Sequence, residues 1–184
     1  MTPNSKNWTN VDFAILAVSF VPATVLTWGI HELAHYLTGI TLGYEMWMTL
    51  NQAGPVQGNY DSNFHQIAVA IAGPILTWIQ GVIAYFAVRW SRELWVYSFV
   101  FLTFWMRAVA MIVSFVSNPN DEAAAGILLG WPMFVIPALS VGFLFVLTLL
   151  ASRTLKVGWK GNLVAYVAAS FASTFVVFSD QAIF

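Results

Sequence analysis

Apolar and polar positions along this chain do not alternate at the period of a half-buried helix or strand. They gather into long apolar blocks parted by short polar ones. A helix needs ~20 apolar residues to cross the hydrocarbon core of a bilayer. Five blocks approach or pass that length, roughly 13–39, 67–88, 94–116, 127–151 and 163–178. The fifth is the shortest and ends near Asp180. Only the connection 40–66 is long, and neither internal repeats nor low-complexity segments occur. The pattern predicts an all-α polytopic membrane protein, a bundle of about five transmembrane spans forming a single membrane-embedded domain over 1–184. A polar N-terminal segment precedes the first block and no small-residue cleavage pattern follows it, so that block reads as a retained span.

Composition strengthens this picture. The 184 residues are 59% hydrophobic and 16% aromatic but only 8% charged, against about 25% charged in an ordinary soluble domain. A soluble fold could not hide that much apolar surface, so the lipid bilayer is the first partner the chain implies. The net charge of −1 gives no footprint for nucleic acid. With no cysteine, disulfides, thiol catalysis and cysteine-ligated metal are excluded.

The basic residues add an orientation. With alternating spans, Lys6, Arg89, Arg92, Arg153, Lys156 and Lys160 fall on the face that holds the N-terminus, and the positive-inside rule makes that face cytoplasmic. Asn7-Trp8-Thr9 is a glycosylation sequon that would stay unused there. Glu45, Asp61, His65, Asp121 and Glu122 collect on the opposite face.

Inside the first block, "TWGIHELAHYLTG" carries His31, Glu32 and His35. Ionisable groups within a span cost roughly 2.5 kcal/mol or more each on insertion scales, so three within one helical turn need a common partner. The pattern is HExxH. Histidines at i and i+4 share a helix face and can converge on one ion, and Glu32 can act as general base toward a water there. With histidine ligands and no thiols, the expected ion is zinc. A catalytic zinc takes a third protein ligand. Asp121, in "SNPNDEAAAG", stands at the far end of the third span and so on the same side as His31 and His35. Glu122 beside it and His65 are alternatives. A polar turn with Asp121 as the N-cap of the next helix is the other reading of this segment.

HELAH at the end of one span, followed two spans later by Asn118-Pro119-Asn120-Asp121, resembles the site-2-protease family of intramembrane zinc metalloproteases. The likeness covers about 27–126, within a metalloprotease-like core of about 13–126, and leaves additional spans over about 127–184. It implies that His31, His35 and Asp121 bind zinc and that Glu32 activates the water. Ala72-Gly73-Pro74 in the second span fits the same pattern. Residues 44–60 look like the family's re-entrant β-hairpin loop, with two short runs around Ala53-Gly54-Pro55, against which an extended substrate could lie. An interfacial segment anchored by Tyr44, Trp47 and Tyr60 is the other reading of that stretch.

Some features depart from the family. Glu122 follows Asp121 where glycine is usual, and Thr77 stands where an asparagine often follows Gly-Pro; Asn118 is a candidate substitute as a substrate contact. The basic residues also put the metal nearer the outer face, whereas the family tends to keep it nearer the cytoplasm.

Arg107 lies within the third span and must face the bundle interior, a polar partner or a partner subunit. Counted along a straight helix, Asp121 is too far away to pair with it. Pro132 and Pro137 are expected to kink the fourth span. The expectation for function is a zinc-dependent endopeptidase that cuts membrane-spanning helices. The alternatives are a zinc hydrolase of lipid amides or esters, and a non-cleaving subunit that binds membrane proteins or a further copy of itself.

Overall fold

The computed structural model describes residues 8–183. Helix α1 spans Asn10–Thr41, strands β1 and β2 span Met46–Met48 and Ala53–Pro55, and helix α2 spans Asn63–Ser91. A 3₁₀ turn at Leu94–Val96 leads into α3, Tyr97–Val116, followed by α4, Asp121–Leu128, α5, Val135–Leu155, and α6, Gly158–Ile183. Among the described residues, five helical segments are long and apolar enough to cross a membrane: Asn10–Thr41, Asn63–Ser91, Leu94–Val116, Val135–Leu155 and Gly158–Asp180. The chain is therefore an all-α, multi-pass membrane protein with one two-stranded hairpin between its first two spans.

Helix α1 starts at a capping box. The Thr9 side chain accepts from the Asp12 amide at 3.3 Å, and the Asp12 carboxylate accepts from the Thr9 amide at 2.8 Å. Ser62 caps α2 by accepting from the His65 amide. Leu16, Phe20 and Ala23 of α1 are fully buried in the core, which also holds Val88 of α2, Tyr97, Val100 and Leu102 of α3 and Ala165 of α6. Phe20 and Phe101 meet edge to face at 5.9 Å.

Two hydrogen bonds join the chain turns at one end of the bundle. The Trp8 indole donates to the Leu155 carbonyl, and the Arg92 guanidinium donates to the Thr154 carbonyl. Arg89, Arg92, Arg153 and Lys156 thus share that end; Lys6 and Asn7 lie outside the described residues.

The fourth span differs from its expected bounds. The apolar block around 127–151 is broken, because Gly130 takes a left-handed φ of 77° and Pro132 has no N–H with which to continue a helix. The short helix α4 ends there, and the span begins afresh at Val135. Pro132 lies between the helices and Pro137 lies in the first turn of α5, where a missing N–H costs no helical bond. Neither proline kinks the span. The fifth span is longer than the apolar block suggested, since Gly158–Ile183 is continuous helix.

The segment between α1 and α2 is a hairpin, with Met46 opposite Pro55, Trp47 opposite Gly54 and Met48 opposite Ala53. Its turn is Thr49–Gln52 and not the Ala53-Gly54-Pro55 stretch. The Thr49 hydroxyl accepts from the amides of Asn51 and Gln52, which fixes the turn locally. Two spans hold that turn in place. The Trp28 indole donates to Asn51 Oδ1 at 3.0 Å, and Asp180 accepts from Thr49 Oγ1 at 2.7 Å and from the Leu50 amide at 3.0 Å.

Candidate metal centre

His31, Glu32 and His35 occupy the inner face of α1 and are all buried. The one-turn offset brings the two imidazoles together, with Nε2 of His31 and Nε2 of His35 3.0 Å apart. The chain reverses after Val116. The Ser114 hydroxyl accepts from the Asn120 amide, and Asn120 then caps α4 by accepting from the Ala123 amide. The N-cap is therefore Asn120 and not Asp121, which is left free to turn its carboxylate inward. Asp121 Oδ2 lies 3.0 Å from His31 Nε2 and 3.6 Å from His35 Nε2. One atom from each of these residues falls within 4.8 Å of the others, so His31, His35 and Asp121 form a group that can hold a metal ion.

The outer partners of the two rings decide what those atoms offer. The Thr77 hydroxyl lies 3.0 Å from the Gly73 carbonyl and 2.9 Å from His31 Nδ1; with its single proton on the carbonyl, it accepts from that nitrogen. The Val69 carbonyl can only accept, so His35 Nδ1 donates to it, at 2.6 Å. In that arrangement each ring carries its proton on Nδ1 and turns Nε2 toward Asp121, with His31 Nε2 also 3.5 Å from Arg107 Nη2. Two lone pairs and a carboxylate oxygen facing one another repel, and the cation beside them among the described residues is Arg107, 3.2 Å from Asp121 Oδ2 and 3.5 Å from His31 Nε2. A shared proton could bridge one pair, whereas a divalent ion satisfies all three.

Charge adds to this. Three carboxylates, Glu32, Asp121 and Glu122, stand near the single guanidinium of Arg107; Glu32 and Glu122 are buried and Asp121 is about a third exposed, and buried carboxylates in excess of their cations are costly.

Helix α2 makes room for the centre. A Cβ at Gly73 would lie 2.6 Å from His31 Nε2, so only glycine lets the rings approach this helix. Pro74 removes the N–H that would otherwise bond the Ala70 carbonyl. Ala70 lines a cavity of about 370 Å³ that opens beside the centre. Glu32, His35 and Asp121 also border it, together with Trp47, Gln52 and Ala53 of the hairpin, Tyr60, Gln66 and Asn120. Glu32 makes no hydrogen bond to any described residue, so its carboxylate is available to the cavity. Burial, and then Tyr44 beside it, raise the Tyr60 phenol above its ordinary value, so it keeps its proton as a donor.

The other candidates fall elsewhere. Glu122 is turned away from the histidines, accepting from Ser140 at 3.0 Å, Asn120 at 3.1 Å and Arg107 at 3.0 Å. His65 bonds the Tyr44 hydroxyl at 2.7 Å and is outside the group. Asn118 is exposed; the asparagine that borders the cavity is Asn120.

The expectation for Arg107 is corrected. Because the chain folds back through Ser117–Asn120, its Nη1 reaches Asp121 Oδ2 at 3.2 Å and Glu122 Oε2 at 3.0 Å. Thr77 entered the sequence reading only as a departure from a family pattern. The usable signal was its place one helical turn after Gly73, on the same face of α2.

The fold and site define a multi-pass membrane protein with a His–His–Asp group, its histidines buried, that could hold a metal ion. No family model, curated protein or solved structure matches the chain.

Proposed function

We propose that this protein is a zinc-dependent intramembrane endopeptidase. One observation carries the reading: His31 Nε2 and His35 Nε2 converge with Asp121 Oδ2 beside a buried glutamate, Glu32, that makes no hydrogen bond to a described residue. Two histidines and a carboxylate suit zinc, which keeps a further position open for chemistry when three protein ligands hold it. When bound, the ion would supply Lewis-acid polarisation of the scissile carbonyl.

This chain's own residues would do the rest. Glu32 takes a proton from a water in the cavity as that water adds to the amide carbon. It returns the proton to the nitrogen as the C–N bond breaks. Thr77 and Val69 hold the imidazoles in the tautomer that keeps both Nε2 atoms unprotonated.

A peptide fits the cavity better than a lipid amide. Gln52 and Gln66 border it, and amide side chains both donate to and accept from a peptide backbone. The hairpin sets Trp47 and Ala53 along one wall, beside which an extended chain could be held. A substrate helix would have to unwind locally to lie there.

The test uses purified protein in lipid bilayers, offered a membrane-spanning peptide and, separately, a lipid amide, with products read by mass spectrometry. Cleavage of the peptide by the wild type is expected. Glu32→Gln should keep its zinc and lose cleavage by about 10²–10⁴-fold, the usual worth of a general base. Undiminished cleavage by that variant, or hydrolysis of the lipid amide alone, would overturn the proposal.

A further inference from the structure

Arg107 is a guanidinium buried in the middle of a span, at the back of a site built for a cation. Its Nη1 donates to Asp121 Oδ2 at 3.2 Å, and that same oxygen faces both histidines. Its Nη2 lies 3.5 Å from His31 Nε2, the atom that the ring orientation leaves unprotonated. The guanidinium and an incoming ion therefore claim the same two atoms.

Arg107 is also braced from behind. Nη1 is shared with Glu122 Oε2 at 3.0 Å, Ser140 donates to Glu122 Oε1 at 3.0 Å, and the Trp78 indole donates to Ser140 at 2.7 Å. Its Nε has no acceptor among the described residues, so the polar groups that hold it lie on the carboxylate side. A buried donor gives up partners only at a cost, which ties the guanidinium to this position.

We infer that Arg107 is a positioning residue that serves as resident counter-cation of the metal centre. It keeps Asp121 aligned with His31 and His35 before an ion arrives, and its charge beside the ion makes zinc bind less tightly than these three ligands alone would. The consequence is a preformed site that loads and releases its ion, in contrast to a closed structural site that holds it irreversibly. Like charges a few ångströms apart in a poorly screened interior repel strongly, so removing this one should favour the ion. The inference rests on the zinc reading above.

The test measures zinc affinity by competition with a chelator, together with Tm with and without zinc, in full-length protein. Arg107→Met alone would leave Glu122 buried and unpaired and could fail to fold, so the informative protein is the double variant Arg107→Met/Glu122→Gln, whose net charge equals that of the wild type. Glu122 lies behind Arg107, so loss of the nearer positive charge outweighs loss of the farther negative one, and the double variant should bind zinc severalfold more tightly than the wild type. Its Tm without zinc should be lower and its zinc-induced rise in Tm larger. Arg107→Lys, which keeps the charge, should stay near the wild-type affinity. Equal or weaker zinc binding by a folded double variant overturns the inference and leaves the zinc reading intact. A wild type that binds no zinc overturns both.

Discussion

Two of the concavities that helix α1 borders differ sharply. Toward the basic end, a groove of about 980 Å³ runs between α1 and α6, lined by Val18, Val21, Val25, Val167, Phe171 and other residues that are apolar apart from Thr24. Toward its other end lies the cavity of about 370 Å³ that holds Glu32, His35 and Asp121. The larger space carries no chemistry. Thr24 satisfies its hydroxyl on the Phe20 carbonyl, so no free polar group faces the groove there, and lipid chains can fill it without penalty. The smaller space gathers carboxylates and imidazole nitrogens that lipid cannot satisfy. Volume in a helical bundle reflects how far the helices splay; function follows the polar groups that converge.

That contrast can be broken experimentally. The largest effect is expected from His35→Ala, which removes one of three ligands and should abolish both zinc retention and peptide cleavage. His65→Ala, outside the group, should change neither; similar zinc loss in both variants would show that the centre lies elsewhere. Gly73→Ala comes next. It sets a methyl group 2.6 Å from His31 Nε2, and should cost about 1–3 kcal/mol of stability along with most of the zinc. A variant with wild-type zinc content would mean that the rings do not pack against α2.

A smaller effect is expected from Thr77→Val, which keeps shape but leaves His31 Nδ1–H without its acceptor. Loss of an outer partner of this kind usually costs about 10–100-fold in metal affinity, and Thr77→Ser should recover most of it. Equal affinity in the valine variant would remove the tautomer assignment. The smallest effect belongs to the groove. Phe171→Ala, at an outward-facing ring, should change stability by less than about 0.5 kcal/mol and leave zinc and cleavage untouched. A severalfold loss of either would give the apolar groove a function it lacks here.

The span count and the His–His–Asp group were legible in the sequence for different reasons. A bilayer imposes a minimum apolar length, which the composition displays directly. His31 and His35 share a face by helical period alone, and Asp121 stands on the side of the bundle that alternation assigns to them. The partner of Arg107 was not legible. Distance along a straight helix separates it from Asp121, and only the reversal at Ser117–Asn120 cancels that distance. Such a reversal leaves no periodic trace. The break in the fourth span was hidden in a similar way, since Gly130 and Pro132 end a helix without interrupting the apolar run. Thr77 could not be assigned because its role depends on which acceptor takes its proton, a matter of packing.

The hydrogen bonds from the hairpin turn to Asp180 have a mechanical consequence. Asp180 belongs to the last span and is nearly inaccessible, and it accepts both hydrogen bonds from the turn, so a hairpin that swung away would cost its carboxylate two donors. The wall that the hairpin gives the cavity is thus pinned to the far end of the chain, to a helix that contributes no residue to the cavity lining itself.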